Sequence, residues 1–451
     1  MTGQKENSRK TAVEILNRID ETGAYAEPLL DSVLEGNHLM RTADRRLLTQ
    51  LVYGTLRMKG RCDWIIDCLY AKSPKKPDRC VQNILRVGLF QLLYMDRIPV
   101  YAVIDEAVNI AKEMHRPAAG LVNAVLRKFV KEDTRIVYPD LQTDPVRHLS
   151  VMHSHPLWIV EKWIGLIGFD ETVQLCKANN ETPPLTIRAN RLNTNREFLV
   201  RRLADEGCEI VRETVLSPDG LILSHVPGSI RNLYCFQEGC FTIQDEASQM
   251  ISLLVDCRPG ERVLDICSGT GVKTTHLAEM MQNAGTVIAT DIKEKKLTAM
   301  KKLAGRLRIT NIETMQADAT LPLPENFRAS FDRVLVDAPC SGIGTLRRNP
   351  EIKWRLIRED LGKYPHLQKS ILSNASKCLK KDGILVYSTC TITEEENEGV
   401  VRDFLSEYPD FQVERPRDVR LVSCLDSRGA FRTYPHRHGT DGFFAVVLKR
   451  R

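Results

Sequence analysis

The sequence predicts a multidomain fold with an N-terminal all-α bundle, a small α+β unit and a C-terminal doubly wound α/β domain. Three observations predict it: apolar residues recur at helical spacing as far as about residue 132, a strand–helix–strand–strand pattern follows, and strands alternate with helices from about residue 245. We place the three domains at residues 1–135, 136–240 and 241–451, and the second begins with linker helices.

The N-terminal helices are predicted from their apolar faces. In LVNAVLRKFV, residues 121–130, most apolar side chains share one face of a helix, and VQNILRVGLFQLLYM, residues 81–95, is apolar nearly all round. The second pattern is typical of a central helix with others packed around it. Short helices with short links, separated at Pro99 and Pro117, predict a compact bundle.

The two later domains are predicted from a change in the spacing of apolar residues, from a helical period to a strand-like one. LTIRAN at 185–190 begins the strand–helix–strand–strand run, which is typical of a ferredoxin-like or RRM-like unit. In the last domain, helical patterns at 295–308 and 366–380 lie between strands and indicate a mostly parallel, Rossmann-like sheet. The predicted strands of this sheet are RVLDIC, TVIATDI, IETMQADA, FDRVLVDAP, GILVYSTC and GFFAVVLKR.

Composition argues against several classes of protein. No apolar run approaches the ~20 residues of a membrane span, and the start, MTGQKENSRK, is polar, so we expect no membrane partner and a cytoplasmic location. The thirteen cysteines include no CxxC pair, which argues against a disulfide framework and against a metal site. The net charge of +6 permits a polyanionic partner. We expect the chain to act as a monomer.

A glycine-bearing turn between a strand and a helix is the first candidate site. In RVLDICSGTGVKTTHLAEMM, Gly269 and Gly271 allow the backbone to turn tightly beside a ligand. Asp291 ends the next strand, where a carboxylate can bind ribose hydroxyls, and Asp318 ends the third, where it could reach an adenine amino group. With no second dinucleotide half evident, the set favours S-adenosylmethionine over NAD. The alternative is that the glycines are ordinary turn residues and both aspartates are helix caps.

Two cysteines at the ends of neighbouring predicted strands are the second candidate site. Cys340 closes the sequence that begins at Asp337 (DAPC), and Cys390 closes VYSTC, at the edge of an open parallel sheet where ligands bind. Most free cysteines are small buried residues, and this is the alternative for both. Amino-group methylases, which commonly have an aromatic residue at the position of Cys340, need no thiol because the substrate nitrogen is the nucleophile.

Methylation at carbon 5 of a pyrimidine can use two thiols. Carbon 5 becomes nucleophilic only after a group adds to carbon 6, and a thiolate is both a strong nucleophile and a workable leaving group. An acid at the N3/N4 edge of a cytosine, such as Asp337, would stabilise the charge that develops. Loss of the carbon 5 proton and expulsion of the thiol need a second acid or base, which a second cysteine could supply.

The chain resembles the RsmB/NOP family of RNA 5-methylcytosine methyltransferases over almost its whole length. The matching stretches are VLDICSGTGVKTTHLAE, ATDIKEKKL, QADA, VDAPCSGIGTLRRNPEIKW, YSTCTITEEENEGVV and DGFFAVVLKR. The N-terminal helices resemble the NusB-like RNA-binding bundle that is fused to such enzymes. The resemblance implies an enzyme that uses S-adenosylmethionine to methylate a cytosine in its RNA partner, 16S ribosomal RNA.

The resemblance also implies roles for single residues. Cys390 would be the nucleophile, Cys340 would help to release the product, and Asp337 would contact the target cytosine, the cofactor or both. Lys273 would also reach the target nucleotide. The residues implied to hold the cofactor are Cys267, Ser268, Gly269, Thr270, Gly271, Val272, Lys273, Asp291, Asp318 and Asp337.

The cofactor loop departs from the usual family pattern, C-A-A-P-G-G-K-T. Here the loop reads C-S-G-T-G-V-K-T from Cys267 onward, without the proline and the second glycine. Cys267, Gly271 and Lys273 still match, so we expect cofactor binding with altered contacts around Gly269 and Val272. The altered loop and the NusB-like bundle motivate a second hypothesis, an RNA-binding assembly or antitermination factor with an inert methylase domain.

A cluster of cations follows the DAPC loop. The cluster consists of Arg347, Arg348, Lys353 and Arg355, with Trp354 among them. Cations beside an aromatic residue suit phosphate contact and base stacking, so we expect Arg347, Arg348 and Lys353 to bind RNA. A solvated loop around a buried tryptophan is the alternative.

Two further runs of polar residues are expected to have structural rather than catalytic roles. His436 and His438 have no third ligand in view, so we expect a loop beside the cleft there rather than a metal site. The run from Glu394 to Glu396 is expected to form the first turn of a helix, where acidic residues suit the helix dipole.

Overall fold

The computed structural model describes residues 7–36, 40–70, 77–132, 136–416 and 418–451. The chain forms two compact units, of which the first comprises Met1–Glu181 with Leu346–Arg358 and the second comprises Thr182–Thr345 with Glu359–Arg451. The chain between residues 136 and 181 therefore folds with the N-terminal bundle. The boundary predicted at residue 135 instead assigns this part of the chain to the second domain.

The first unit is a helical bundle. Its helices before residue 181 are α1 (Ser8–Thr22), α2 (Ala26–Gly36), α3 (Thr42–Arg57), α4 (Lys59–Tyr70), α5 (Arg79–Tyr94), α6 (Val100–Met114), α7 (Ala119–Glu132), α8 (Pro145–Met152), α9 (Leu157–Ile167) and α10 (Phe169–Asn180). Helix α5 packs against α1, α3, α4, α6 and α7. Leu48, Ile84 and Leu126, from three of these helices, share one apolar core. The central position of α5 explains why its sequence is apolar nearly all round.

The second unit begins with a small α+β domain. Its elements are β1 (Leu185–Ala189), α11 (Arg196–Asp205), β2 (Glu209–Glu213), β3 (Gly220–His225), α12 (Tyr234–Gln237) and β4 (Phe241–Ile243). The sheet order is β2-β3-β1-β4, and every pair of neighbours is antiparallel. This βαββαβ order confirms the ferredoxin-like prediction, and β4 lies just beyond the boundary expected at residue 240.

The large sheet of the second unit confirms the doubly wound prediction. Its strands are β5 (Arg262–Ile266), β6 (Thr286–Asp291), β7 (Ile312–Gln316), β8 (Phe331–Asp337), β9 (Leu379–Thr389), β10 (Phe411–Val413), β11 (Phe431–Arg432) and β12 (Phe444–Arg450). The order is β10-β12-β9-β8-β5-β6-β7, with β11 paired to β12. Strands β5 to β9 are parallel, and β12 runs antiparallel to β9. The strand order reverses at β5, which is where open α/β sheets bind ligands.

Helices cover both faces of this sheet. They are α13 (Glu246–Val255), α14 (Val272–Met280), α15 (Glu294–Arg306), α17 (Lys363–Cys378), α18 (Glu398–Glu407) and the short α19 (Pro435–His438), whereas α16 (Ile352–Arg355) belongs to the first unit. Ile371 and Phe404 lie in the core that contains α17 and α18, and Met250 and Leu277 lie in the core that contains α13 and α14. The sheet is therefore buried on both sides, as its apolar strand sequences predict.

The segment Leu346–Arg358, which follows the DAPC loop, folds with the helical unit. Lys353 is fully buried, and its Nζ donates to the carbonyl oxygens of Arg57 and Ser154 and to Oδ1 of Asn180, at 3.0, 2.9 and 3.1 Å. Burial lowers the pKa of Lys353 to about 7. The expected RNA contact of Lys353 is therefore corrected, because a buried amine with three protein acceptors anchors this segment instead of meeting a phosphate.

The neighbours of Lys353 lie in the same helical surroundings. Trp354 Nε1 donates to the carbonyl oxygen of Leu56 at 2.6 Å, and the carbonyl oxygen of Arg347 accepts from the Arg57 guanidinium at 3.1 Å. The Arg347 side chain is buried, which does not suit the expected RNA contact. Arg348 is half-buried, and its RNA contact stays a prediction.

We expect Lys353→Ala to destabilise the helical unit by roughly 3 kcal/mol, because three protein acceptors lose their donor. Hydrogen exchange followed by mass spectrometry should show faster exchange in α3, α8 and α10, which end at or near these acceptors. Lys112→Ala, on an exposed position of α6, is the matched control and should change little. Unchanged protection in Lys353→Ala would contradict the anchoring role.

Candidate functional site

The candidate site lies at the carboxyl ends of the parallel strands. Ile266 at the end of β5 pairs with Val336 in β8, and Asp337 at the end of β8 pairs with Ser388 in β9. The loops that leave these strands therefore start side by side at one edge of the sheet. They are the glycine loop after β5, the DAPC loop after β8 and the turn that follows β9.

Cys340 and Cys390 meet at this edge. Their Sγ atoms are 3.4 Å apart, and either thiol can donate the hydrogen bond. Both cysteines are half-buried. The hydrogen bond with Cys390, together with burial, raises the pKa of the Cys340 thiol well above its usual range, so Cys340 carries its proton at neutral pH. The structure thus brings together the two cysteines that the sequence analysis singled out.

The main chains of the two cysteine segments are in direct contact. Gly344 N donates to the carbonyl oxygen of Cys390 at 3.0 Å, and Gly442 N donates to the carbonyl oxygen of Gly344 at 2.8 Å. A Cβ atom at Gly344 would lie 1.9 Å from the carbonyl oxygen of Gly442, so the approach requires glycine. These main-chain hydrogen bonds fix the position of Cys390 relative to the loop that follows Cys340.

Asp337 is held from two sides. Its Oδ2 accepts from Lys273 Nζ at 2.7 Å, and its Oδ1 accepts from Ser388 Oγ at 2.9 Å. Burial by itself lowers the pKa of Lys273, but the Asp337 carboxylate outweighs it, so the pKa lies above its usual value and the amine stays charged. Lys273 Nζ also lies 5.1 Å from the centre of the Phe443 ring. Ser388 and Phe443 were not predicted from the sequence as parts of the site.

The glycine loop binds the carboxylate at the end of β6. Gly269 N donates to Asp291 Oδ2 at 3.0 Å, and Lys293 N donates to Asp291 Oδ1 at 2.9 Å. Gly271 has φ +86°, and a Cβ atom there would lie 2.2 Å from Met300 Cγ. At Gly269 a Cβ atom would meet no atom within 4 Å. The loop is therefore tightly packed at Gly271 and open at Gly269, where a ligand can approach the backbone.

The other residues of the loop lie around this opening. Cys267 has φ +62°, a left-handed conformation that is uncommon for a residue with a side chain. Ser268 donates to the carbonyl oxygen of Thr290 through its main-chain N and its Oγ, at 2.9 and 3.0 Å. Thr270 is exposed, and Val272 begins α14. The loop keeps a defined turn without the proline of the family pattern.

These residues fit an adenosine cofactor. Asp318 follows β7, and its Oδ1 accepts from Thr320 Oγ1 and from Thr320 N at 2.6 and 3.0 Å. These hydrogen bonds hold the pKa of Asp318 below its usual value, so the carboxylate is charged. Asp291 at the end of β6 and Asp318 just after β7 thus supply acceptors at the carboxyl ends of neighbouring strands, and Asp291 contacts the open backbone at Gly269.

Two buried carboxyl groups near the strand ends were missed as site residues. Asp265 in β5 accepts from Thr274 Oγ1 at 2.6 Å, and burial raises its pKa to about 7. Glu396 was expected in the first turn of a helix, but α18 begins at Glu398, and Glu396 is fully buried beside the DAPC loop. The expectation for Glu396 is therefore wrong. The sequence signal for Asp265 is an acidic residue inside an apolar strand.

Near the C-terminus, the segment that contains His436 and His438 forms a local hydrogen bond within its own turn. His438 Nδ1 accepts from Tyr434 N at 2.9 Å, and α19 carries His436 and His438. Within the described ranges, no group of three or more His, Cys, Asp or Glu residues is placed to hold a metal ion. In the same ranges, no helix has the length and apolar character to cross a membrane.

Three family models match successive parts of the chain. The NusB family model matches residues 6–131, the RsmF/B-like ferredoxin-like domain model matches residues 155–228, and the 16S rRNA methyltransferase RsmB/F model matches residues 252–449. The matches follow the order of the helical, α+β and α/β domains in the structure.

Whole-chain comparisons agree with this order. A probable ribosomal RNA small subunit methyltransferase B from Bacillus subtilis (strain 168) is 37% identical, covering 99% of this chain and 100% of the relative. The crystal structure of PH0851 is similar with a TM-score of 0.83 and 27% identity over 98% of both chains. That of a methyltransferase homologue protein from Pyrococcus horikoshii has a TM-score of 0.59 and 26% identity over 68% of this chain and all of the other.

The matched family and the methyltransferase fold, together with the fit of the glycine loop, identify S-adenosylmethionine as the cofactor. The similarity to a relative at 37% identity extends over 99% of the chain. The chain therefore belongs to the RsmB/F family of 16S rRNA methyltransferases.

Proposed function

We propose that the protein transfers a methyl group to carbon 5 of a cytosine in 16S ribosomal RNA through a covalent adduct with Cys390. The observation that carries the proposal is the pair of thiols, Cys340 and Cys390, 3.4 Å apart beside the Asp337–Lys273 ion pair. Amino-group methylation does not need a thiol, whereas carbon 5 methylation can use two. The names of the curated relatives support ribosomal RNA of the small subunit as the substrate.

In the first stage, the thiolate of Cys390 forms a bond to carbon 6 of the base. Cys340 carries its proton, and its thiol can donate a hydrogen bond to the sulfur of Cys390, 3.4 Å away. This geometry supports Cys390 as the nucleophile. Asp337, oriented by Lys273 and Ser388, is our candidate for the N3/N4 edge of the cytosine.

In the second stage, carbon 5 accepts the methyl group. S-adenosylmethionine supplies an electrophilic methyl group on a sulfonium sulfur. The open backbone at Gly269, with Asp291 and Asp318, would hold the adenosine part of the cofactor.

In the last stage, a base accepts the carbon 5 proton, the electron pair of the carbon 5–hydrogen bond restores the double bond between carbons 5 and 6, and the sulfur of Cys390 departs as a thiolate. Cys340 is our candidate for the acid or base of this stage, because its thiol is within reach of the departing sulfur.

The RNA must present the target base outside any stack for Cys390 to reach carbon 6. Two domains outside the catalytic sheet are candidates for holding the RNA in that state: the bundle matched by the NusB family model and the ferredoxin-like domain. The proposed partner is therefore an RNA with a single-stranded or extrudable cytosine.

We expect Cys390→Ala to lower methyl transfer by about three orders of magnitude or more, since the variant has no nucleophile for carbon 6. Transfer of a radioactive methyl group from S-adenosylmethionine to small-subunit RNA measures this, and calorimetry should show unchanged cofactor binding. Cys68→Ala, at an exposed cysteine of the helical unit, is the matched control and should stay active. Full activity in Cys390→Ala would exclude the covalent mechanism.

We expect Cys340→Ala to accumulate a covalent protein–RNA adduct, because the release stage loses a group worth about 10²–10⁴ in rate. The adduct would migrate as a shifted band on a denaturing gel with labelled RNA. The double variant Cys340→Ala with Cys390→Ala must show no shifted band, which identifies the sulfur that holds the RNA. Absence of adduct in Cys340→Ala alone would remove Cys340 from the release stage.

Cofactor titration separates an enzyme from an RNA-binding factor with an inert methylase domain. We expect S-adenosylmethionine to bind, and Asp291→Asn to weaken binding roughly tenfold or more, because a charged acceptor next to Gly269 is lost. Asp256→Asn, at the exposed end of α13, should bind as the unmodified chain does. Absence of binding by the unmodified protein would favour the inert alternative.

A further inference from the structure

Both peptide groups that flank Cys340 are held by buried side chains from outside its loop. On one side, Gln368 Nε2 donates to the carbonyl oxygen of Pro339 at 3.0 Å. On the other side, Ser341 N donates to Glu396 Oε2 at 2.8 Å. Gln368 Nε2 also donates to Glu396 Oε2 at 3.1 Å, so Gln368 and Glu396 form one hydrogen-bond network around Cys340. The main chain on either side of Cys340 is therefore fixed.

Glu396 is a fully buried carboxylate whose oxygens are used as acceptors. In addition to Ser341 N and Gln368 Nε2 at Oε2, its Oε1 accepts from Thr393 Oγ1 at 2.8 Å. A buried carboxylate is strongly unfavourable without such donors and forms short, directional hydrogen bonds with them. The position of the Cys340 loop is therefore tied to the position of this group.

Glu396 is also hydrogen-bonded to β9, the strand that ends just before Cys390. The carbonyl oxygen of Glu396 accepts from Tyr387 Oη in β9 at 2.6 Å. Closer to the sulfur pair, the hydroxyl groups of Ser341 and Thr391 are 2.8 Å apart. The segment after Cys390 thus folds back and binds the segment after Cys340 at two points.

We propose that Glu396 is a positioning residue for the second cysteine, which it keeps within reach of the Cys390 sulfur during product release. This inference rests on the proposed function. A loop without the Glu396 contact would let the Cys340 sulfur move away from the departing thiolate, and such a loss of alignment slows a reaction without new chemistry. RNA and cofactor binding would remain, because Glu396 is buried behind the DAPC loop.

The test compares Glu396→Ala with Glu396→Gln in the full-length enzyme. Alanine removes the acceptor of Ser341 N, whereas the oxygen of a glutamine amide can still accept from Ser341 N while the Thr393 hydroxyl turns to accept from the amide nitrogen. We expect Glu396→Ala to lower kcat by between about tenfold and a hundredfold and to accumulate the covalent protein–RNA adduct. The dissociation constants for RNA and S-adenosylmethionine should stay unchanged, because binding precedes the stage that is slowed. Glu396→Gln should restore most of the activity.

Glu394→Ala is the matched control, since Glu394 is an exposed residue of the same acidic run and should behave as the unmodified enzyme. Unchanged kcat without adduct in Glu396→Ala would overturn the inference. Equal loss in Glu396→Ala and Glu396→Gln would also overturn it, because charge rather than position would then matter.

Two further variants keep the test decisive. If Glu396→Ala does not fold, Gln368→Leu is used instead, because it removes the hydrogen bond to the Pro339 carbonyl oxygen on the other side of Cys340. This variant must accumulate the same covalent adduct. Absence of adduct rejects the inference. Cys340→Ala is assayed in parallel. Absence of adduct there means that the proposed function fails, whereas adduct in Cys340→Ala but not in Glu396→Ala rejects the positioning role alone.

Discussion

The parallel pairing of β8 with β9 is the constraint on which the candidate site depends. Its register sets Asp337 beside Ser388, so the DAPC loop and the turn after β9 leave the sheet as neighbours. The sulfur atoms of Cys340 and Cys390 can then approach to 3.4 Å. A shift of one residue in this register would turn every side chain of one strand to the opposite face and separate these groups.

Polar groups with several hydrogen-bond partners hold this arrangement in place. Asp337 is held by Lys273 and Ser388, and the carboxylate of Glu396 accepts hydrogen bonds from three donors, Ser341 N, Gln368 Nε2 and Thr393 Oγ1. Such groups are unfavourable in a protein interior unless every partner is in place, so small displacements are opposed strongly. The site therefore presents two thiols, an ion pair and an open glycine loop in fixed positions, as a reaction that depends on alignment requires.

The helical unit is linked to this site by the chain itself. After Thr345 the chain enters the segment Leu346–Arg358, which belongs to the helical unit, and then returns at Glu359. Lys353 anchors that segment through three hydrogen bonds. The residues that sequence analysis assigned to RNA contact after the DAPC loop thus include a structural anchor, which explains why Lys353 and Arg347 are buried rather than exposed.

The three domains, the strands β5 to β9 and β12 of the large sheet, and the two cysteines at strand ends could be predicted from the sequence, whereas the short strands β10 and β11 were not predicted. Periodicity reports which residues are buried in a helix or strand, and strand order brings Cys340 and Cys390 to one edge. The roles of Lys353, Ser388 and Glu396 became apparent only from the folded structure. Whether a charged side chain is exposed or buried depends on the donors and acceptors that distant parts of the chain place around it, and no local pattern contains that information.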